Sequence, residues 1–299
     1  MPAALEYSVV DVFTENALAG NPLAVVMNNA GLSTEQMQSI AREFNLSETT
    51  FVERRDAETE RREGVRVRIF TTEEELPFAG HPTLGTASVL RLTAPDTLRG
   101  QAITLAENVG PIPVKFSGDS LHAEMTQRDP EFGAELDPAQ VARLCGFNAD
   151  DLDPRHPPQV VSTGTAFAII LLRSSESLRR LRVVQEEATA WLRSRGARWF
   201  YVLAPAQADT PGAVENFRAR MQFNGGEDPA TGSAAGCAIS YLVSRGLVPS
   251  GQATLVRQGL EIGRPSDLYL SARAEGARVT DVRVAGSTVL VAKGTLFLP

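Results

Sequence analysis

Two stretches of this chain, Pro82–Leu90 and Ala234–Val243, are read as helices and contain no charged residue, and Gly, Ala, Ser and Thr occupy many of their positions. A helix that is uncharged all round must be buried on every side, and small residues let surrounding strands approach closely. Each follows a glycine-led turn. Leu76-Pro-Phe-Ala-Gly-His-Pro-Thr-Leu-Gly-Thr-Ala87 enters the first, and Glu227-Asp-Pro-Ala-Thr-Gly-Ser-Ala-Ala-Gly236 enters the second. Overlaying Gly80 on Gly232 also brings Gly85 to nearly the same helical step as Gly236. The expectation is an α+β fold of two similar domains, each a barrel-like, mostly antiparallel sheet wrapped around one central helix.

The rest of the chain supplies the strands. Short apolar or alternating runs, among them Tyr7–Phe13, Leu23–Met27, Thr49–Val52, Val65–Phe70, Ala102–Leu105, Ile112–Phe116 and Leu121–Met125, are bounded by Gly, Pro, Asn and Asp. Similar runs continue from Val160–Ser162 to Thr288–Phe297. Ser33 with Gln36 forms a capping box for a helix to about Phe44, and Asp137, Pro138 and Gln140 do the same for a helix to Leu144. Glu186–Arg195 is a third charged, outward helix, closed by Gly196. The charge run Glu53–Arg68 reads as a solvated hairpin with one buried face. The domains are set at 1–126 and 127–287, and the closing strand, 288–299, could return to the first.

Length and charge remove several function classes. At 299 residues the chain accommodates two ordinary domains. Hydrophobic residues make up 43% and charged residues 22%, and the net charge of −7 leaves no basic footprint for nucleic acid. No apolar run approaches the ~18 residues of a membrane span, and no signal-peptide pattern opens the chain. Cys145 and Cys237 lack the spacing of a disulfide framework or a metal site. A cytoplasmic protein with no metal, no nucleic-acid partner and no membrane partner is expected.

The chemistry is sought where the two glycine-led helices begin. The first N–H groups of a helix have no internal acceptor, and the helix dipole adds positive charge there. Gly80-His81 and Gly232-Ser233 each place such donors beside a residue with no side chain. Paired across a cleft between the halves, they suit a small carboxylate; the alternative is that the glycines only relieve packing. Glu48, between apolar Leu46 and Phe51 at a strand entry, is a candidate general acid and base if partly desolvated, and otherwise an exposed turn acid. Asp228, before Pro229, caps its turn or receives a substrate ammonium or hydroxyl. His81 donates a hydrogen bond or shuttles a proton, or merely orients the helix start. His122, placed in a strand, and His156, in a Pro-flanked loop, are read as structural. Ser233 lacks the G-x-S-x-G elbow of a serine hydrolase, and the glycine-rich phosphate loops are missing.

Taken together, Asn45-Leu-Ser-Glu48-Thr, Pro77-Phe-Ala-Gly-His81-Pro-Thr and Glu227-Asp-Pro-Ala-Thr-Gly-Ser233-Ala resemble the PhzF family of phenazine-biosynthesis isomerases. Val10-Asp-Val-Phe13, Gly20-Asn-Pro22 and Gln258-Gly-Leu-Glu-Ile-Gly-Arg-Pro-Ser266 fit as well. The resemblance implies the fold of diaminopimelate epimerase and proline racemase. Those racemases carry an acid–base cysteine immediately before each helix-start glycine, where this chain has Ala79 and Thr231. It further implies a cofactor-free isomerisation of 2,3-dihydro-3-hydroxyanthranilate. Glu48 would move the proton, the Gly80-His81 and Gly232-Ser233 amides would hold the carboxylate and developing charge, and Asp228 would receive the amine. His81 and Ser233 would assist proton movement, and a homodimer is expected. The rival readings are an epimerase or isomerase of another small carboxylic acid, and a small-molecule binding protein that has lost turnover.

Overall fold

The alternation Val65-Arg-Val-Arg-Ile69 is the pattern of a strand with one buried face. In the computed structural model Val65, Val67 and Ile69 are buried while Arg66 and Arg68 are half-buried. The structure describes residues 3–27, 31–206, 215–223 and 226–298. It divides into two compact units, Met1–Thr126 with Ala285–Pro299, and Gln127–Val284.

The first unit opens with β1 (Ala3–Val12), β2 (Asn21–Val26), α1 (Thr34–Phe44), β3 (Glu48–Glu53), α2 (Ala57–Glu63), β4 (Val65–Phe70) and β5 (Glu75–Leu76). It continues with α3 (Gly80–Thr93), β6 (Ala102–Glu107), β7 (Gly110–Phe116) and β8 (Ala123–Thr126). β1 pairs antiparallel with β2, β2 parallel with β3, β3 antiparallel with β4, β4 parallel with β6, and β6 antiparallel with β7. A parallel step needs a crossover: α1 lies within the first and α3 within the second.

The second unit contains β9 (Glu131–Glu135), α4 (Pro138–Cys145), β10 (Gln159–Ser162), β11 (Ala166–Leu171), α5 (Ser175–Leu178), α6 (Gln185–Ser194) and β12 (Trp199–Pro205). Next come β13 (Glu215–Arg220), β14 (Gln222–Phe223), β15 (Gly226–Glu227), α7 (Gly232–Ser244), β16 (Thr254–Gln258), β17 (Ser266–Glu275) and β18 (Arg278–Gly286), which crosses the unit boundary. From β10 the pairings again run antiparallel, parallel, antiparallel, parallel, antiparallel through β11, β12, β13, β16 and β17. The order of steps matches the first unit. Finally β19 (Thr288–Leu298) belongs to the first unit and pairs antiparallel with β1, from Ala3↔Leu298 to Val12↔Thr288.

The two helices that contain the uncharged stretches are buried along most of their length. α3 is buried without a break from Gly80 to Leu90 and meets β1, β2, β3, β6, β7, β8 and β19. α7 is buried from Gly232 to Val243 and meets β10, β11, β12 and β17. At Gly85 α3 packs tightly against the sheet: a Cβ there would stand 2.6 Å from Leu23 and 2.8 Å from Val12. The charged helices are amphipathic by contrast. α1 buries Met37, Ile40 and Ala41 against Phe51 and Phe70, whose rings meet edge-on at 5.4 Å.

Four local expectations need correction. Glu53–Arg68 is not a simple hairpin: β3 and β4 pair antiparallel, but α2 fills the connection and buries none of its residues. Asp56 caps that helix by accepting from the N–H groups of Glu58 and Thr59. Asp137 caps α4 at Ala139, whereas Gln140 accepts from Arg143 instead of closing a capping box. His122 precedes β8 and lies 3.1 Å from the Ser287 hydroxyl. β6 runs on past Leu105 to Glu107. Among the described residues no helix is long and apolar enough to cross a membrane.

Candidate active site

Glu48 owes its place to the end of α1. Asn45 takes the left-handed conformation (φ 50°) that closes that helix, and the chain turns into β3 with Glu48 as its first residue, opposite Leu23 of β2. Its side chain is 15% exposed. Ala79 is extended at the N-cap of α3 and offers no side-chain cap, so Gly80 and His81 begin the helix with their N–H groups outside its internal ladder. His81 is buried, with Nε2 3.4 Å from Glu48 Oε2. The side-chain amide nitrogen of Asn21 lies 3.2 Å from His81 Nδ1. An amide nitrogen only donates, so Nδ1 accepts and the ring proton resides on Nε2, facing Glu48.

This pair would be a salt bridge only with a protonated ring. Burial pushes the His81 pKa down to about 3, so near neutrality the structure sets a neutral N–H against a carboxylate. At 3.4 Å the two atoms are close but form no hydrogen bond.

In the second unit the turn before α7 is held by side chains. The Asp228 N–H donates to Met221 O at 2.9 Å, and the Thr231 hydroxyl donates to Asp228 Oδ2 at 2.6 Å. The Gln258 amide uses both donors and both acceptor sites: it receives Tyr201 OH (3.0 Å) and Thr231 N–H (3.1 Å), and donates to Asp228 O (2.8 Å) and Thr231 Oγ1 (3.0 Å). Next to Asp228, Glu227 forms a buried two-point ion pair with Arg220 at 2.8 and 2.6 Å. Gly232 opens α7, and its carbonyl accepts from Gln127 Nε2 at 2.9 Å. Ser233 is buried one residue further on.

The structure thus brings Glu48, Gly80 and His81 together in the first unit, and Asp228, Gly232 and Ser233 in the second. Sequence reading missed Asn21, Thr231 and Gln258 as partners of these residues. Their contacts join positions up to 60 residues apart, beyond what local periodicity reports. It also missed Glu107, though a signal exists: Ile103, Leu105 and Glu107 share the buried face of β6. Both cysteines are buried, and burial pushes Cys237 up to about 11. Ala79 and Thr231 stand at the N-caps of α3 and α7. Among the described residues no group of three or more His, Cys, Asp or Glu could hold a metal ion.

The first unit therefore holds a glutamate beside a buried, neutral histidine at a helix start. The chain belongs to the PhzC-PhzF family of phenazine biosynthesis-like proteins, whose sequence profile matches residues 10–294. It is 35% identical to an uncharacterised isomerase of Mesorhizobium japonicum, over 98% of each chain. It is 34% identical to the trans-2,3-dihydro-3-hydroxyanthranilate isomerase of Pseudomonas aeruginosa, over 98% of this chain and 99% of that one. A solved structure of a predicted epimerase from Pseudomonas aeruginosa superposes with a TM-score of 0.82 at 35% identity, covering 98% and 99% of the two chains. A probable proline racemase from Agrobacterium radiobacter shares the fold at 10% identity, with a TM-score of 0.64 over 98% of this chain and 92% of that one. The protein is an isomerase of this family.

Proposed function

We propose that the protein is a cofactor-free isomerase of the trans-2,3-dihydro-3-hydroxyanthranilate type, with Glu48 as its single acid–base group. The observation that carries this reading is the Glu48–His81 pair, a half-buried carboxylate 3.4 Å from a neutral imidazole at the start of α3. Glu48 removes a proton from the ring carbon that bears the hydroxyl and returns it further along the conjugated system, so one group acts as base and then as acid. The amides at Gly80-His81 and Gly232-Ser233 hold the substrate carboxylate and the enolate-like charge. Asp228 receives the amine, its carboxylate fixed by Thr231. His81 and Ser233 assist proton movement.

A two-base epimerisation through the helix-cap positions has no support, because Ala79 has no ionisable side chain and Thr231 spends its hydroxyl proton on Asp228. On the same reading each unit is a barrel-like sheet around its own helix, and the enzyme works as a cytoplasmic homodimer without metal. The wider alternative, an isomerase or epimerase of another small carboxylic acid, is favoured by the 35% identity to a predicted epimerase.

The test is proton NMR of the protein with 2,3-dihydro-3-hydroxyanthranilate in deuterated water, beside Glu48→Gln. Isomerisation with deuterium uptake is expected from the wild type, and a loss of roughly 10²-fold or more from the variant, the scale of a removed general acid–base. An active Glu48→Gln would refute the single-carboxylate mechanism. An inert wild type would refute this substrate and turn the search to other small carboxylic acids.

A further inference from the structure

Helix α3 begins without a side-chain cap, yet its start is held from inside the helix by Thr83. The hydroxyl oxygen of Thr83 lies 2.7 Å from the Ala79 carbonyl oxygen and 2.6 Å from Glu107 Oε1. Both contacts have hydrogen-bond length, but a hydroxyl carries one proton. The Ala79 carbonyl can only accept, so the Thr83 proton points to it. The contact with Glu107 then closes only if Glu107 supplies a proton of its own. With Glu107 ionised, Thr83 would donate to the carboxylate and leave two oxygens 2.7 Å apart at Ala79 with no proton between them.

The surroundings of Glu107 favour the neutral acid. The residue is 5% exposed, and its Oε2 has no hydrogen-bond partner. A carboxylate left in that state costs more than the carbonyl oxygen of a neutral acid. Burial pushes the pKa up to about 8, against opposing pulls from Thr83 and Arg66. Arg66, on the neighbouring β4, is the charged group that bears on this carboxyl. Its guanidinium is engaged by Ala106 O at 3.1 Å and Asn108 Oδ1 at 2.6 Å. From α3 the carboxyl meets the uncharged Thr83, and His81 on the same turn is neutral.

We propose that Glu107 is a positioning residue of this isomerase: a neutral acid that donates to Thr83, which in turn donates to Ala79, so that the start of α3 and its Gly80 and His81 are held in place. This inference rests on the reading of Gly80 and His81 as substrate-binding groups. Ionisation of Glu107 turns the Thr83 hydroxyl proton away from Ala79 and leaves that carbonyl with only the longer bond from the Thr83 N–H, at 3.3 Å. The helix start loosens and turnover falls on the alkaline side. The stability sign agrees. A carboxyl with a raised folded-state pKa gives stability that is full below the unfolded value of 4.5 and is lost as pH rises through about 8.

The test is ¹³C NMR titration of protein labelled at the glutamate side-chain carboxyl, for wild type, Glu107→Gln and Glu107→Ala, with turnover measured across the same pH range. One carboxyl is expected to titrate near pH 8 in the wild type and to be missing from both variants. Glu107→Ala should lose roughly ten- to a hundredfold in turnover, the scale of a misplaced binding group. Glu107→Gln, whose amide can still donate to Thr83, should restore most of that loss and abolish the alkaline decline. Should Glu107→Ala fail to fold, the titration and the Gln variant decide alone. Glutamates that all titrate in the ordinary carboxylate range, or an alkaline decline unchanged in Glu107→Gln, would overturn the proposal. A raised carboxyl without turnover of the anthranilate would leave this placement of the proton standing and count against the proposed substrate.

Discussion

At the scale of single residues, a buried neutral imidazole ties the site to acid. His81 takes up its proton near pH 3 in the fold but near the ordinary 6.5 when unfolded. The unfolded chain therefore binds more protons across that window. Stability contributed by His81 is full above about 6.5 and is lost as pH falls towards 3. In urea titrations the wild type should weaken more steeply through this window than His81→Gln. Equal slopes would show that the ring is not held neutral. Much of this environment lies outside what residue order reports. The motifs around Glu48 and His81 can be read along the chain, but their neighbour Asn21 comes from a different strand.

The elements divide by how locally their causes act. α1 is legible because its capping box lies within four residues and its apolar positions recur on one face. The uncharged helices are legible because composition alone demands burial. α2 is not, since it buries nothing and so leaves no apolar period to read. β9 is missed for the same reason: all five of its residues are exposed and one is Gly133. Gly236 shows what the second buried helix requires. A Cβ there would collide with the Gln127 side chain, which holds Gly232 O and receives the Thr163 hydroxyl. Gly236→Ala should cost about 1–3 kcal/mol by overpacking, read as a lowered denaturation midpoint at unchanged slope. A variant as stable as the wild type would mean that Gln127 moves aside freely.

For the whole molecule, the pairing of β1 with β19 makes the first unit discontinuous in sequence. Removing residues 285–299 should strip hydrogen-exchange protection from β1 while residues 127–284 keep theirs. Protection surviving in β1 would show that β2 alone holds it. The matching order of strand pairings in the two units was legible only through its two helices, because pairing direction leaves no mark on a single strand. Strand β1 has also to wait for β19. At ~5–20 residues per second, the 158 residues of the second unit, Gln127–Val284, keep the ribosome occupied for roughly 8–30 s before β19 is made. Through that interval one edge of β1 is open to any passing strand or chaperone, so the second unit can mature on the nascent chain while the first waits for β19.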